Sequence, residues 1–331
     1  MTVPAYPSRQ PAAGGVSSCG GAGGGCGDRT ACDGGDGGRA TAPVVALRGR
    51  HPCFDPAPQA HARAGRLHLP VSPACNITCQ FCARDFNASD RRPGVARRLL
   101  KPEQALDVVR RALRLCPEIS VVGIAGPGDT LATNHAIDTF ALIHADFPTL
   151  INCLSTNGLR LPDRAKELAA VGVQTLTVTV NAVAPEIQAV ISPVIADRGK
   201  RLEGIEAARV LIANQLEGIA KAVALGMVVK VNCVLIPGVN DDHIGAVAQK
   251  VAAAGASLFN IIALIPTHNL AHLPAPSPAL LARAQREAGR HISVFTHCQR
   301  CRADAAGVPG VSDIADLLYD RRLDATTFSH G

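Results

Sequence analysis

Cys75, Cys79 and Cys82 stand as C-x-x-x-C-x-x-C in the run from Pro70 to Cys82 (PVSPACNITCQFC), and no other feature limits this chain so sharply. Three thiolates at this spacing can hold three irons of a cubane cluster and leave the fourth iron open to a chelating small molecule. Zinc sites usually close with four ligands and favour paired C-x-x-C knuckles. An asymmetric triplet after an apolar, strand-like stretch fits zinc less well.

With 331 residues, 47% of them hydrophobic, the chain can bury one large core, and a single α/β barrel commonly uses about 250 residues. The expected organisation is a leader over residues 1–45, one catalytic barrel over 46–310 and a C-terminal tail over 311–331. No run approaches the roughly 18 uncharged apolar residues that span a bilayer, and MTVPAYPSRQ lacks the layout of a signal peptide. A cytoplasmic protein is expected, in which the twelve cysteines read as reduced metal ligands rather than disulfides. A net charge of +6 with no Trp, two Tyr and eight Phe argues against stacking-platform binding of nucleic acid. The positive charge gathers after the triplet at Arg84, Arg91, Arg92, Arg97, Arg98 and Lys101. This is either a solvated basic loop or a surface that attracts an anionic ligand.

Residues 1–45 are dominated by Gly, Ala, Ser and Thr, with Cys19, Cys26 and Cys32 among them, and cannot bury enough apolar surface to offset ordering. Beyond them, short apolar runs alternate with amphipathic segments. The expected strands are 67–71, 119–125, 150–156, 175–180, 228–235, 258–264 and 292–295. Most are apolar on both faces, as in a buried parallel sheet, and 175–180 fits this least because Thr alternates with apolar residues. The expected helices are 102–116, 134–147, 162–170, 202–225, 241–254 and 278–289. The clearest starts at Pro102, carries Leu106, Val109 and Leu113 on one face and stops at Pro117. Repeated strand-helix units place the chain in the α/β class, as a partial or near-complete (β/α) barrel of parallel strands.

Parallel α/β folds bind ligands at the carboxyl ends of their strands. Those ends carry Gly123, Gly126, Pro127, Gly128 and Asp129, then Ser155, Thr156, Asn157 and Gly158, then Asn181, then Asn232. Each alone more often serves a turn or cap than a ligand. Gly126, Asp129, Thr156, Asn181 and Asn232 are the candidate small-molecule contacts. Cys298 and Cys301 form a C-x-x-C beside Arg300 and Arg302, a second candidate ligand pair. Cys116 and Cys233 lie in apolar surroundings and are expected in the core.

The segments HPCF (51–54), AH (60–61), RLH (66–68), CNITCQFC (75–82), RPGV (92–95), GIAGPGD (123–129), CLSTNGL (153–159), NAV (181–183), KVNCVLIPGVND (230–241) and CQRCRAD (298–304) strongly resemble the NifB family. These are radical S-adenosylmethionine (SAM) proteins of nitrogenase iron-molybdenum cofactor biosynthesis, and the resemblance covers roughly residues 51–310. It implies that Cys75, Cys79 and Cys82 hold a 4Fe-4S cluster whose open iron chelates SAM and, once reduced, cleaves it to a 5'-deoxyadenosyl radical. It further implies a lyase-type enzyme that fuses two substrate 4Fe-4S clusters around a carbide. One SAM donates the methyl group and the radical from a second begins to strip its hydrogens. The product is the eight-iron precursor of the nitrogenase cofactor.

In this likeness His51, Cys53 and Cys153 match ligands of one substrate cluster, with Cys298 and Cys301 serving the second site. His61 and His68 are ligands, packed residues or, first in rank, orienting partners of ligands. The implied partners are an iron-sulfur cluster donor, scaffold or carrier proteins of the nitrogenase cofactor, and a reductant such as ferredoxin or flavodoxin, with no nucleic acid and no membrane. The stretch after Gly310 is too short for the carrier domain of some relatives, so transfer to separate maturation proteins is expected.

One departure stands out. The family carries a further cysteine about six residues after the triplet, then Asn-Glu-Ser before RPGV. This chain reads ARDFNASDRRPGV, one residue shorter, with Ala88 near the cysteine position and no counterpart of the Glu. Asp90 or Cys32 is the candidate substitute. The segment ISPVIADRGKR also lacks aromatics of the relatives. Two alternatives therefore stand beside cluster fusion: a diverged radical SAM enzyme with another substrate, and a non-catalytic iron-sulfur carrier.

Overall fold

Val- and Ile-rich runs form the sheet because β-branched side chains pack well on a pleated surface. A computed structural model describes residues 47–55, 63–319 and the backbone of Ser329–His330, all within one compact unit, Gly38–Gly331. The leader with Cys19, Cys26 and Cys32, and also His61, lie outside the described residues.

The main sheet contains β1 (Gly65–His68), β2 (Ile119–Ile124), β3 (Ile151–Thr156), β4 (Val173–Thr179), β5 (Val228–Leu235), β6 (Leu258–Ala263), β7 (Val294–Phe295) and β8 (Ala306–Gly307). From β1 to β7 each strand pairs in parallel with its predecessor, and β8 runs antiparallel beside β1. That sequential order is the order of a (β/α) barrel rather than of a doubly wound sheet. It ends at β7 and β8 without joining them, so the barrel is partial.

The helices are α1 (Pro102–Leu115), α2 (His135–Asp146), α3 (Leu161–Ala170), α4 (Pro185–Ile191), α5 (Gly204–Ala224), α6 (Ile244–Ala253), α7 (Pro278–Gly289) and α8 (Ala315–Leu318). In α1 the Gln104 side chain accepts from the Lys101 backbone N–H at 2.9 Å, Pro102 occupies the first turn, and Leu106 and Val109 are buried. Phe140 on α2 and Phe259 on β6 are fully buried in the core, where truncation to alanine costs on the order of 3–5 kcal/mol. Ala315, Leu318 and Tyr319, within the expected tail, also lie in this core.

The expected strands and helices are all present, with ends displaced by a few residues. Among these elements β8, the short α8 and α4 were not anticipated, nor was a hairpin ahead of α5. The seven-residue α4 is too short for its periodicity to register, although Pro185 marks its start. The expected helix 202–225 loses its first residues to a hairpin, in which Val194–Asp197 pairs antiparallel with Lys200–Glu203. Its two turn residues both take positive φ, 49° at Arg198 and 77° at Gly199, the geometry whose twist matches flanking strands. Ile77–Thr78 adds to this hairpin as a third strand, so it props the segment that joins Cys75 to Cys79.

β4 alternates because its two faces differ. Leu176 and Val178 join the apolar core, while Thr177 and Thr179 line the barrel interior. Among the described residues no helix is long and apolar enough to cross a membrane.

Candidate functional site

A cavity of about 340 Å³ runs through the barrel. Its walls come from alternate positions of each strand: Arg66 and His68, Val121 and Gly123, Cys153 and Ser155, Thr177 and Thr179, Lys230 and Asn232, Asn260 and Ile262. Of the sequence candidates, His51, Cys53, Cys75, Cys79, Cys82, Asp129, Cys153, Thr156, Asn181, Asn232, Cys298 and Cys301 all face it. Gly126 does not, though Ala125, Pro127 and Gly128 do.

At one group of walls sits the triplet. The Ser192 hydroxyl donates to Cys79 Sγ at 3.2 Å, and Asn157 Nδ2 donates to Asn76 Oδ1 at 2.6 Å beside Cys75. Burial pushes the Cys75 thiol up to about 11 and raises Cys79 and Cys82 as well, with Arg84 and Arg92 pulling Cys82 back. Buried thiols of this kind are protonated at neutral pH, so a bound metal takes the place of the protons. Gly128 meets this loop backbone to backbone: a Cβ there would lie 2.1 Å from the Ala74 carbonyl oxygen. Asp129 braces the same floor, accepting from Thr156 Oγ1 at 2.9 Å, the Asn157 N–H at 2.6 Å and the Leu131 N–H at 3.0 Å. Desolvation still raises its pKa against these donors.

A second group gathers His51, Cys53, Cys153, Cys298 and Cys301. His51 Nδ1 accepts from the Cys53 N–H at 3.1 Å, its Nε2 lies 3.2 Å from Thr175 Oγ1, and its ring packs 4.6 Å from that of Phe54. Burial raises the Cys153 thiol pKa, and the Thr175 hydroxyl works against that rise, so one threonine bears on both candidates. Burial pushes Cys53 up to about 12, opposed by the nearby Lys230 charge and reinforced by Cys301, Cys153 and Cys298. These four sulfurs therefore interact as one electrostatic group. Among the described residues no three His, Cys, Asp or Glu side chains converge on a single ion. A cubane takes its thiolates one per iron and needs no such point.

His68 Nδ1 lies 3.0 Å from the Arg302 carbonyl oxygen, which orients the ring, while burial and the Arg66 charge lower its pKa to about 4 against the pull of that carbonyl. Asn181 Oδ1 accepts from the Val234 N–H at 2.9 Å and Asn232 Oδ1 from Asn260 Nδ2 at 2.9 Å, so both serve the frame as well as the wall. Asp90 pairs with Arg92 at 3.2 Å and is not in the cavity wall. Its loop is held by Arg302, which donates to the carbonyls of Asp90 at 2.5 Å and Asn87 at 2.6 Å. The basic cluster divides accordingly: Arg84 and Arg92 line the cavity, Arg97 is buried against Asp304, and Arg91 and Lys101 are exposed. Cys116 and Cys233 are buried as expected.

Sequence reasoning missed Gln188, Gln215, Ser192 and Asn260, all in the wall. Inward register on β6 marks Asn260; the others sit on α4, α5 and the turn between α4 and the hairpin, where no strand period points. The carboxamide oxygens of Gln188 and Gln215 are buried with no hydrogen-bond partner. SAM fits this wall chemically, since its ammonium, hydroxyl and amine groups are the donors these oxygens lack.

A partial parallel barrel with a three-cysteine loop beside its strand ends defines a radical SAM protein, and residues 69–251 match the radical SAM superfamily. The chain is 44% identical over 286 residues to FeMo cofactor biosynthesis protein NifB of Methanocaldococcus jannaschii, covering 85% of this chain and 94% of that protein. Against the protein of the same name from Klebsiella pneumoniae it is 45% identical over 280 residues, covering 82% of this chain. It belongs to the NifB family of FeMo cofactor biosynthesis proteins. It spans 59% of the length of the Klebsiella relative. SuiB of Streptococcus suis shares the fold, with a TM-score of 0.51 at 12% identity over 70% of this chain and 49% of that one.

Proposed function

We propose that this chain is a radical SAM enzyme, lyase-type, that fuses two substrate 4Fe-4S clusters and inserts a carbide taken from a SAM methyl group, giving the eight-iron precursor of the nitrogenase cofactor. One observation carries the reading: the Cys75, Cys79 and Cys82 triplet shares a single cavity with His51, Cys53, Cys153, Cys298 and Cys301. When bound to the triplet, a 4Fe-4S cluster with SAM supplies a 5'-deoxyadenosyl radical.

The chain's own residues hold, orient and shield. Ser192 and the hairpin fix the triplet loop, and Asp129 locks the ends of β2 and β3 beside it. Gln188 and Gln215 receive SAM donors, with Thr156, Asn181 and Asn232 in the adjoining wall. His51, Cys53 and Cys153 hold one substrate cluster and Cys298 and Cys301 the other. Ile77, Ile124, Leu211 and Val234 keep water from the space between. Residues 46–310 act as the catalytic unit in the cytoplasm, supplied by an iron-sulfur donor and a ferredoxin or flavodoxin and delivering to scaffold or carrier proteins.

A second reading, a diverged radical SAM enzyme with another substrate, is favoured by one feature: Ala88 replaces a family cysteine and Asp90 is engaged by Arg92. Anaerobic reconstitution with iron counting and a SAM-cleavage assay separates the two. About twelve irons with deoxyadenosine and S-adenosylhomocysteine supports cluster fusion, and about four irons with deoxyadenosine alone supports the second reading, at four irons per cubane. Iron uptake without SAM cleavage overturns both in favour of a carrier.

A further inference from the structure

Lys230 and Arg66 place two positive charges inside the barrel. Lys230, on β5, is 5% exposed; its Nζ donates to the Cys53 carbonyl at 3.0 Å and lies 4.8 Å and 4.9 Å from the ring centroids of Phe54 and Phe295. Arg66, on β1, is 9% exposed; it donates to the Gly307 carbonyl at 2.7 Å and reaches Cys301 Sγ at 3.5 Å. Its buried Nε has no hydrogen-bond partner. Among the described residues neither side chain forms an ion pair.

A buried cation without a counter-ion is costly, and two aromatic faces and a carbonyl compensate it only in part. The two cations are not scattered. Lys230 acts on Cys53 and Cys153, Arg66 touches Cys301, both charges bear on His68, and all of these residues line the same cavity. An anion in this part of the cavity would meet both, and an orphaned N–H is a donor still waiting for an acceptor.

We infer that Lys230 and Arg66 are positioning residues that neutralise the anionic iron-sulfur substrate, Lys230 on the side of Cys53 and Cys153 and Arg66 on the side of Cys301. This rests on the cluster-fusing reading and gives it the charges that draw the substrate in. Their other contacts, to the Cys53 carbonyl and to β8, set where those charges stand.

The test uses the full chain, purified without oxygen, as wild type, Lys230→Met and Lys230→Arg. Three quantities are read: the unfolding midpoint of the iron-free protein, iron taken up beyond the triplet's share, and the reduction potential of the additional clusters by electron paramagnetic resonance. Lys230→Met is expected to leave the iron-free midpoint unchanged or higher. Its apparent affinity for additional iron-sulfur falls roughly 10- to 100-fold, the range for groups that support a metal site without ligating it. Any cluster it does take up is reduced at a lower potential, whereas Lys230→Arg keeps uptake and potential near wild type.

Wild-type uptake and potential in Lys230→Met overturn the inference, as does a loss of uptake matched by a fall in the iron-free midpoint, which marks a structural lysine. Should Lys230→Met not fold, Arg66→Gln answers by the same uptake and potential, loss supporting and wild-type behaviour overturning. If wild type itself takes up iron only at the triplet, the cluster-fusing reading fails and the inference with it. That result is visible before any variant is made.

Discussion

Asp129 Oδ1 accepts the Asn157 backbone N–H at 2.6 Å, fastening the turn after β2 to the end of β3 directly beneath the triplet loop. Because Thr156 and Leu131 donate to the same carboxylate, Asp129→Ala leaves three buried donors without an acceptor. At about 1–3 kcal/mol for each of the three unsatisfied groups, the iron-free protein should lose roughly 3–9 kcal/mol in urea unfolding. Asp129→Asn retains one acceptor oxygen and falls between. Wild-type stability in Asp129→Ala would mean that the fastening lies elsewhere.

Gly128→Ala tests the contact between this turn and the segment leading to Cys75. The added methyl would sit 2.1 Å from a backbone oxygen, which cannot rotate away, so one of the two segments must shift. Overpacking of this kind costs about 1–3 kcal/mol, and here the displaced residues adjoin Cys75. The expected outcome is a folded protein, by circular dichroism, with depleted iron at the triplet. Full iron content would show that the loop adapts.

The loop around Ala88 is held by charge. Asp304 is fully buried between Arg97 at 3.0 Å and Arg302 at 2.7 Å, and Arg302 in turn grips the Asn87 and Asp90 carbonyls. Removing one partner of a buried pair costs about 3–5 kcal/mol, because the other charges stay behind. Asp304→Ala should therefore lower the chemical-denaturation midpoint sharply and expose 83–96 to limited proteolysis. Unchanged cleavage there would separate the network from the loop.

His68 makes the iron-free protein sensitive to acid. Burial and the Arg66 charge lower its pKa from 6.5 to about 4, so the neutral ring is favoured in the folded state and the unfolded chain takes up the proton first. The contribution is complete above pH 6.5 and disappears as pH falls through about 4, amounting to about 3 kcal/mol at most. His68→Asn can keep a donor to the Arg302 carbonyl without a titrating ring, so its stability should decline less between pH 6.5 and 4. Parallel urea-midpoint profiles for the two proteins would refute this.

The sequence alone determined the architecture and singled out the cysteine triplet, because both depend on local order. Apolar strand runs separated by amphipathic helices leave few arrangements besides a parallel barrel, and the spacing of Cys75, Cys79 and Cys82 encodes its own chemistry within one short loop. Strand-end residues such as Asp129 and Thr156 were legible for the same reason. Only the tertiary structure decided what comes together from afar. Arg66, Lys230, Gln188 and Gln215 meet in one cavity from β1, β5, α4 and α5, elements whose contact depends on barrel closure rather than on any short-range pattern. It also separated polar residues by role: Asp129 braces, Asp90 pairs with Arg92, and Thr175 holds the His51 ring. Which hydrogen bonds a side chain makes depends on neighbours distant along the chain, and those neighbours are fixed only when the core packs.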